Sequence, residues 1–114
     1  MPEIRGSACD GWWEQIGYGR QSMDDLRLEF SGGSITGSGT DIIGPFSFCG
    51  RIDAAGRVVM TKEYVGLWTV HYAGSYDGEG LMWGHWRAGG MRDRWLIKFK
   101  RPQMSAAIEE LVAV

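Results

Sequence analysis

The sequence predicts an all-β protein: eight antiparallel strands in an up-and-down meander that closes into a barrel, followed by a short C-terminal helix. Three observations carry this. Side-chain character alternates with a period of two along most of the chain, the mark of strands with one buried face. Turn residues interrupt the alternation at short intervals, and short connections make successive strands antiparallel neighbours. Gly accounts for 18 of 114 residues, beside 6 Trp, 4 Tyr and 4 Phe, so large rings and bare backbone can share a narrow interior. Closing eight such strands also removes both exposed edges.

The strands are expected at about 11–20, 24–31, 34–40, 45–53, 56–64, 68–76, 79–87 and 92–100. Leu26, Leu28 and Phe30 alternate with Arg27 and Glu29 in the second. Ile35, Gly37 and Gly39 mark the inner face of the third, and Phe46, Phe48, Gly50 and Ile52 that of the fourth. Val58, Met60, Lys62 and Tyr64 point inward from the fifth; Trp68, Val70, Tyr72 and Gly74 from the sixth; Trp95, Ile97 and Phe99 from the eighth. Turns are expected at 23–25, 31–34, 41–45, 53–56, 65–66, 77–80 and 88–90. The seventh strand has two registers. A two-residue Asp77-Gly78 turn puts Trp83 inside; a three-residue loop with Gly78 left-handed puts Met82, Gly84 and Trp86 inside, and is favoured because His85 and Arg87 then face water. Inward glycines let the wall bend and leave room for rings opposite.

The length predicts one domain, 1–114, with the barrel at about 11–101. Beyond Pro102, Met104, Ile108, Leu111 and Val112 recur at helical spacing, with Ser105 as a cap, which predicts a helix at about 104–113. So short a helix needs something to pack on: the barrel, or a second subunit.

The formal net charge is -2, which argues against a protein that coats nucleic acid or an anionic membrane. No stretch has signal-peptide character or approaches the ~18 apolar residues of a span. Cys9 and Cys49 read as free thiols of a reducing compartment, hence a cytoplasmic location, although sequence leaves a bridge between them open. Nucleic acid and membrane are therefore not expected partners; a homo-oligomer or partner contact belongs to the alternative reading, with Trp12 and Leu96 facing outward on neighbouring strands as its seed.

In such a meander the first, third, fifth and seventh loops bound one end. Phe46, Tyr64, Trp68, Trp86 and Trp95 crowd that mouth, with Tyr72 and Lys62 on the inner wall. Flat apolar walls with a few polar atoms are what a small-molecule pocket needs. Lys62 is the one charge on the inner face of its strand, so it requires a partner, loses its proton or snorkels to water. Asp41 at the same rim is one partner; an anionic or carbonyl group of a ligand is another. The other end, with Phe30, Ile52, Val58, Gly74 and Phe99, reads as plugged core.

Gly11-Trp12-Trp13 is a Gly-x-Trp in the first strand, and the last strand ends in Lys98-Phe99-Lys100-Arg101. This is similar to the calycin pattern of lipocalins, fatty-acid-binding proteins and avidins, and the strand spacing most resembles avidins. The resemblance implies an up-and-down barrel with a ligand site at its open mouth. It also implies Trp13 at the closed end meeting Arg101 or Lys100, and Gln15 among the wall residues. The polar set with which avidins hold a urea-like ligand has no counterpart here, so biotin is not expected.

Other chemistry is weaker. His71 and His85 face each other in one register, but two ligands do not make a metal site. No nucleophile has an evident base, and Asp24-Asp25 reads as a turn. Gly37-Ser38-Gly39 is followed by no helix and cradles no phosphate. Arg92, Arg94, Lys98 and Lys100 form a basic stripe that acids on adjoining strands, such as Glu14 and Glu79, balance. The expectation is a non-enzymatic barrel binding a small, flat or amphipathic ligand, anionic ones included, through Phe46, Lys62, Tyr64, Trp68, Tyr72, Trp86 and Trp95, with no cofactor or metal. The alternative is a fully packed interaction module.

Overall fold

A computed structural model describes residues 6–100. It shows a closed barrel of eight antiparallel strands in sequential order: β1 (Ser7–Gln15), β2 (Gly19–Ser31), β3 (Ser34–Thr40), β4 (Pro45–Ile52), β5 (Arg57–Tyr64), β6 (Thr69–Tyr76), β7 (Leu81–Ala88) and β8 (Met91–Phe99). β1 closes on β8, with Cys9 opposite Phe99 and Trp13 opposite Trp95. The helix expected at 104–113 lies outside the described residues. The architecture is compatible with a calycin-like barrel.

The largest departure from expectation is at the first hairpin. The turn is at residues 16–18, where the Tyr18 amide bonds to the Gln15 carbonyl at 2.9 Å, and Gly17 and Gly19 have positive φ. Asp24-Asp25 is not that turn. It is an irregularity inside the long β2, where the register with β3 shifts and Asp25 has φ 51°. A bulge of this kind bends a strand without ending it, and two adjacent acids look the same in sequence either way. The Gly32-Gly33 and Gly89-Gly90 hairpins have positive φ at both central residues, as a two-residue turn matched to strand twist requires.

β7 presents Met82, Gly84 and Trp86 inward, the favoured face, and leaves Trp83 half exposed. Its connection is longer than three residues, since Tyr76 pairs with Met82. Asp77 organises this loop: its Oδ1 accepts from the Glu79 and Leu81 amides at 2.7 and 3.0 Å. The register places His71 opposite Arg87 and His85 opposite Ala73, so the two histidines do not face each other. Among the described residues no cluster of His, Cys, Asp and Glu could hold a metal ion.

Rings fill the middle of the interior and one of its ends. Phe48, Tyr72 and Trp95 form a central layer, with ring centroids 5.1 and 5.2 Å apart along that row. Phe30, Tyr76 and Phe99 plug the end that carries the second, fourth and sixth loops. The backbone must approach itself closely around these rings. Gly74 pairs with Gly84 across β6 and β7, and a Cβ on Gly74 would fall on the Trp83 carbonyl. A Cβ on Gly50 would fall on the Val59 carbonyl. Cys9 is buried, with its thiol pushed up to about 12 by desolvation, and Cys49 is exposed; both are free.

Gly74→Ala is expected to cost more than about 2 kcal/mol of stability, because backbone rather than a movable side chain opposes the new methyl. Ser47→Ala, on the exposed face of β4, should stay within about 0.5 kcal/mol. Urea midpoints at constant m-value check both.

Candidate functional site

The first, third, fifth and seventh connections meet at one end of the barrel, and the site is built from what hangs below them. Lys62, in the middle of β5, alternates inward between Met60 and Tyr64 and is 1% exposed. A buried ammonium needs an answering charge. Asp41, first residue of the β3–β4 loop, supplies it: Lys62 Nζ lies 2.7 Å from Asp41 Oδ2, and the Asp41 side chain has no exposed surface. The same Oδ2 accepts from the Tyr64 hydroxyl at 2.7 Å and from Trp13 Nε1 at 3.1 Å. Oδ1 turns to its own loop and accepts from the Ile43 amide at 2.9 Å. Lys62 also donates to the Tyr72 hydroxyl at 3.3 Å and stands 4.2 Å from the Phe46 ring centroid, where the ring face favours a cation.

Electrostatics follow from this geometry. Desolvation pushes the Asp41 carboxyl up, but the hydrogen bond and charge of Lys62, with the Tyr64 hydroxyl and the Ile43 amide, outweigh it and hold the group below the usual carboxylate range. Desolvation draws the Lys62 ammonium down to about 8, against the hydrogen bond and charge of Asp41, so it is still protonated at neutral pH. Burial, then the Asp41 carboxylate, pushes the Tyr64 and Tyr72 hydroxyls up, so both remain donors.

Above this cluster lies a half-enclosed cavity of about 140 Å³. Tyr64, Trp68, Tyr72 and Trp86 line it, four of the seven residues singled out from the sequence. The other three are elsewhere. Phe46 packs against Lys62, Lys62 is sealed with Asp41, and Trp95 lies in the central layer with its Nε1 donating to the His85 carbonyl at 3.1 Å. Trp68 precedes β6 rather than lying in it; half exposed, it leans on Tyr64 with centroids 5.8 Å apart. Trp13, Gln15, Ile43, Val70, Ala88 and Met91 complete the wall. A second, more open hollow of about 210 Å³ adjoins it and shares Trp13, Gln15 and Ile43. Gln15, which the calycin resemblance puts among the wall residues, is in this wall, at the end of β1 rather than within a strand running to residue 20. Ile43 belongs to the β3–β4 loop and Met91 opens β8, places where no periodicity signals direction.

Trp13 is not at the closed end. Its indole reaches the loop at 41–44 and meets Trp86 edge-on at 6.2 Å, while Lys100, at the opposite end, lies 3.9 Å from Asp10. Arg101 lies outside the described residues. The contact that the calycin resemblance implies between Trp13 and Lys100 is therefore absent, because Trp13 is used at the mouth instead. Compared with known proteins, the chain matches no family model, no curated protein and no solved structure.

Lys62→Met should destabilise the protein by about 3 kcal/mol or more, because the Asp41 carboxylate is left buried without its cation. The pH dependence should also change sign. In the wild type the Asp41 pKa is depressed on folding, so its contribution is present above the unfolded value and lost as pH falls through the folded one. In Lys62→Met the folded pKa rises above the unfolded one, and acidification should recover stability. Denaturant unfolding between neutral pH and pH ~4 separates the two behaviours.

Proposed function

We propose that the barrel binds a small neutral ligand of about one aromatic ring at its mouth, without catalysis. The observation that carries this is the cavity of about 140 Å³ between Trp68 and Trp86. Its size is close to that of an engineered apolar cavity of about 150 Å³ that takes up benzene, and below the ~300 Å³ at which drug-sized pockets begin. Two of the three indole N–H groups of the wall are committed to the protein: Trp13 to Asp41, Trp86 to the Glu14 carbonyl at 2.8 Å. Ring faces and aliphatic carbons are most of what remains for a guest. An anionic ligand loses its counter-ion, since Asp41 already answers Lys62. The Tyr72 hydroxyl accepts from Lys62, which leaves its own proton for a carbonyl or ring nitrogen of the guest. Kinship with calycins is part of this proposal and rests on barrel architecture with a ligand mouth.

Titration of tryptophan fluorescence with one-ring compounds tests it. Binding is expected for neutral rings and about tenfold stronger for those bearing an acceptor, an advantage that Tyr72→Phe should erase. Ala88→Leu, which fills the cavity from the rim, should abolish binding with the melting temperature retained. No response to any ring compound, or an unaltered response in Ala88→Leu, contradicts the reading.

A second reading has its own observation. Trp12, Leu96 and Trp83 are register partners across β1, β8 and β7, forming one apolar row on the outer wall. An interaction module using this row would associate with itself. Sedimentation velocity should then show a dimer that Trp83→Ser dissociates; a monomer at all concentrations removes this reading.

A further inference from the structure

The mouth carries a second feature that the cavity does not explain. Of the ten large hydrophobic side chains exposed among the described residues, seven sit on the connections of this end and Met91 opens β8 beside them; only Val59 and Trp83 lie elsewhere. Ile16 and Tyr18 belong to the β1–β2 connection, Ile42 to the β3–β4 connection, and Val65, Leu67 and Trp68 to the β5–β6 connection. Residues 16–19, 42–45, 65–68 and 88–91 contain no charged side chain. The loops of the other end, by contrast, carry Asp53, Asp77 and Glu79 and no large apolar residue. Ile16 is 88% exposed and Ile42 76%, so these side chains project into solvent rather than lean on the wall. Glycines with positive φ separate them, and a Cβ on Gly17, Gly66 or Gly89 would meet nothing within 4 Å.

One step behind this crown stand Arg87 and Arg92. They face each other across β7 and β8, both exposed, and neither has an ion-pair partner among the described residues. Like charges directly opposite on a sheet repel, so the pair costs stability unless an anion bridges it.

We propose that this end of the barrel docks on a lipid bilayer, the crown entering the boundary between headgroups and acyl chains and Arg87 and Arg92 meeting lipid phosphates. Charge complementarity carries the choice of occupant. The tips are free of charge, and the unpaired Arg87 and Arg92 stand immediately behind the β7–β8 connection, which on that side matches hydrocarbon followed by phosphate. Glu63 is the exposed acid at the corresponding step behind the β5–β6 connection, so that side stays further from the phosphates. Separate projecting side chains suit a fluid apolar phase, which closes around each one, whereas a protein partner must offer a shaped hollow for every tip. Tyr18 and Trp68 are the residue types that settle at the interface itself. The net charge of -2 does not oppose this, because it averages over the whole surface and the contact uses one end. The proposal does not depend on the ligand of the mouth cavity.

The test is co-sedimentation of the full chain with phosphatidylcholine vesicles, with and without phosphatidylserine, alongside sedimentation velocity without lipid. Binding to both vesicles is expected, several-fold tighter with phosphatidylserine. The combined variant Ile16→Ser, Ile42→Ser, Leu67→Ser should bind about a hundredfold more weakly, with melting unchanged because these side chains lie in solvent. Arg87→Ser with Arg92→Ser should lose only the phosphatidylserine increment. No vesicle binding by the wild type, or equal binding by the triple variant, overturns the proposal. So does a lipid-free dimer that the triple variant dissolves while vesicles bind neither protein, which would assign the crown to a second copy.

Discussion

A single carboxylate oxygen organises the functional end of this barrel. Asp41 Oδ2 receives the Lys62 ammonium and the Tyr64 hydroxyl from β5 and the Trp13 indole from β1, while Oδ1 accepts from its own loop. Each donor would be costly to bury alone. Together they satisfy one another, and the result ties the β3–β4 loop to opposite sides of the wall. Breaking the set at any member leaves a buried polar group unanswered. The aromatic walls of the mouth owe their positions to this set: Tyr64 is held by its hydroxyl and Trp13 by its N–H, and Trp68 and Trp86 pack on those two rings.

The cluster exists because the interior is otherwise apolar and full. A barrel of eight strands has room for side chains or for one small guest. Here the middle and the far end are taken by rings, and the space they need comes from strands that touch backbone to backbone at Gly74 and Gly84. The remaining volume is pushed to the mouth. Glu14 braces that end from outside, bridging Arg20 on β2 and Arg94 on β8 across the seam where the barrel closes.

The closed meander was legible because alternation and turn residues are local signals, and every inner-face residue named for β3, β4 and β5 points inward. Polar turn chemistry deceived where it served another end. Asp24-Asp25 bends a strand instead of ending it, and Ile16-Gly17-Tyr18, an apolar tripeptide, is the true turn. The partner of Lys62 was visible as one option among three, since sequence shows that a charge points inward but not how far a loop carboxylate reaches. The Gly-x-Trp was misleading for a related reason: the motif says nothing about the height of its Trp along the barrel axis. The apolar crown was missed because loop tips have no period, and attention to rings passed over Ile16, Ile42 and Leu67.

The state of the Asp41 carboxyl is the most direct measure of whether its cluster forms as described. Carbon-13 NMR of the Asp41 side-chain carboxyl in the folded protein reads it as pH is varied. The expected midpoint lies below that of an unperturbed aspartate, about 3.9, with the group ionised throughout the neutral range. A midpoint at or above the unperturbed value would show that Lys62 does not hold this carboxylate, and the organisation of the mouth derived from it would fail.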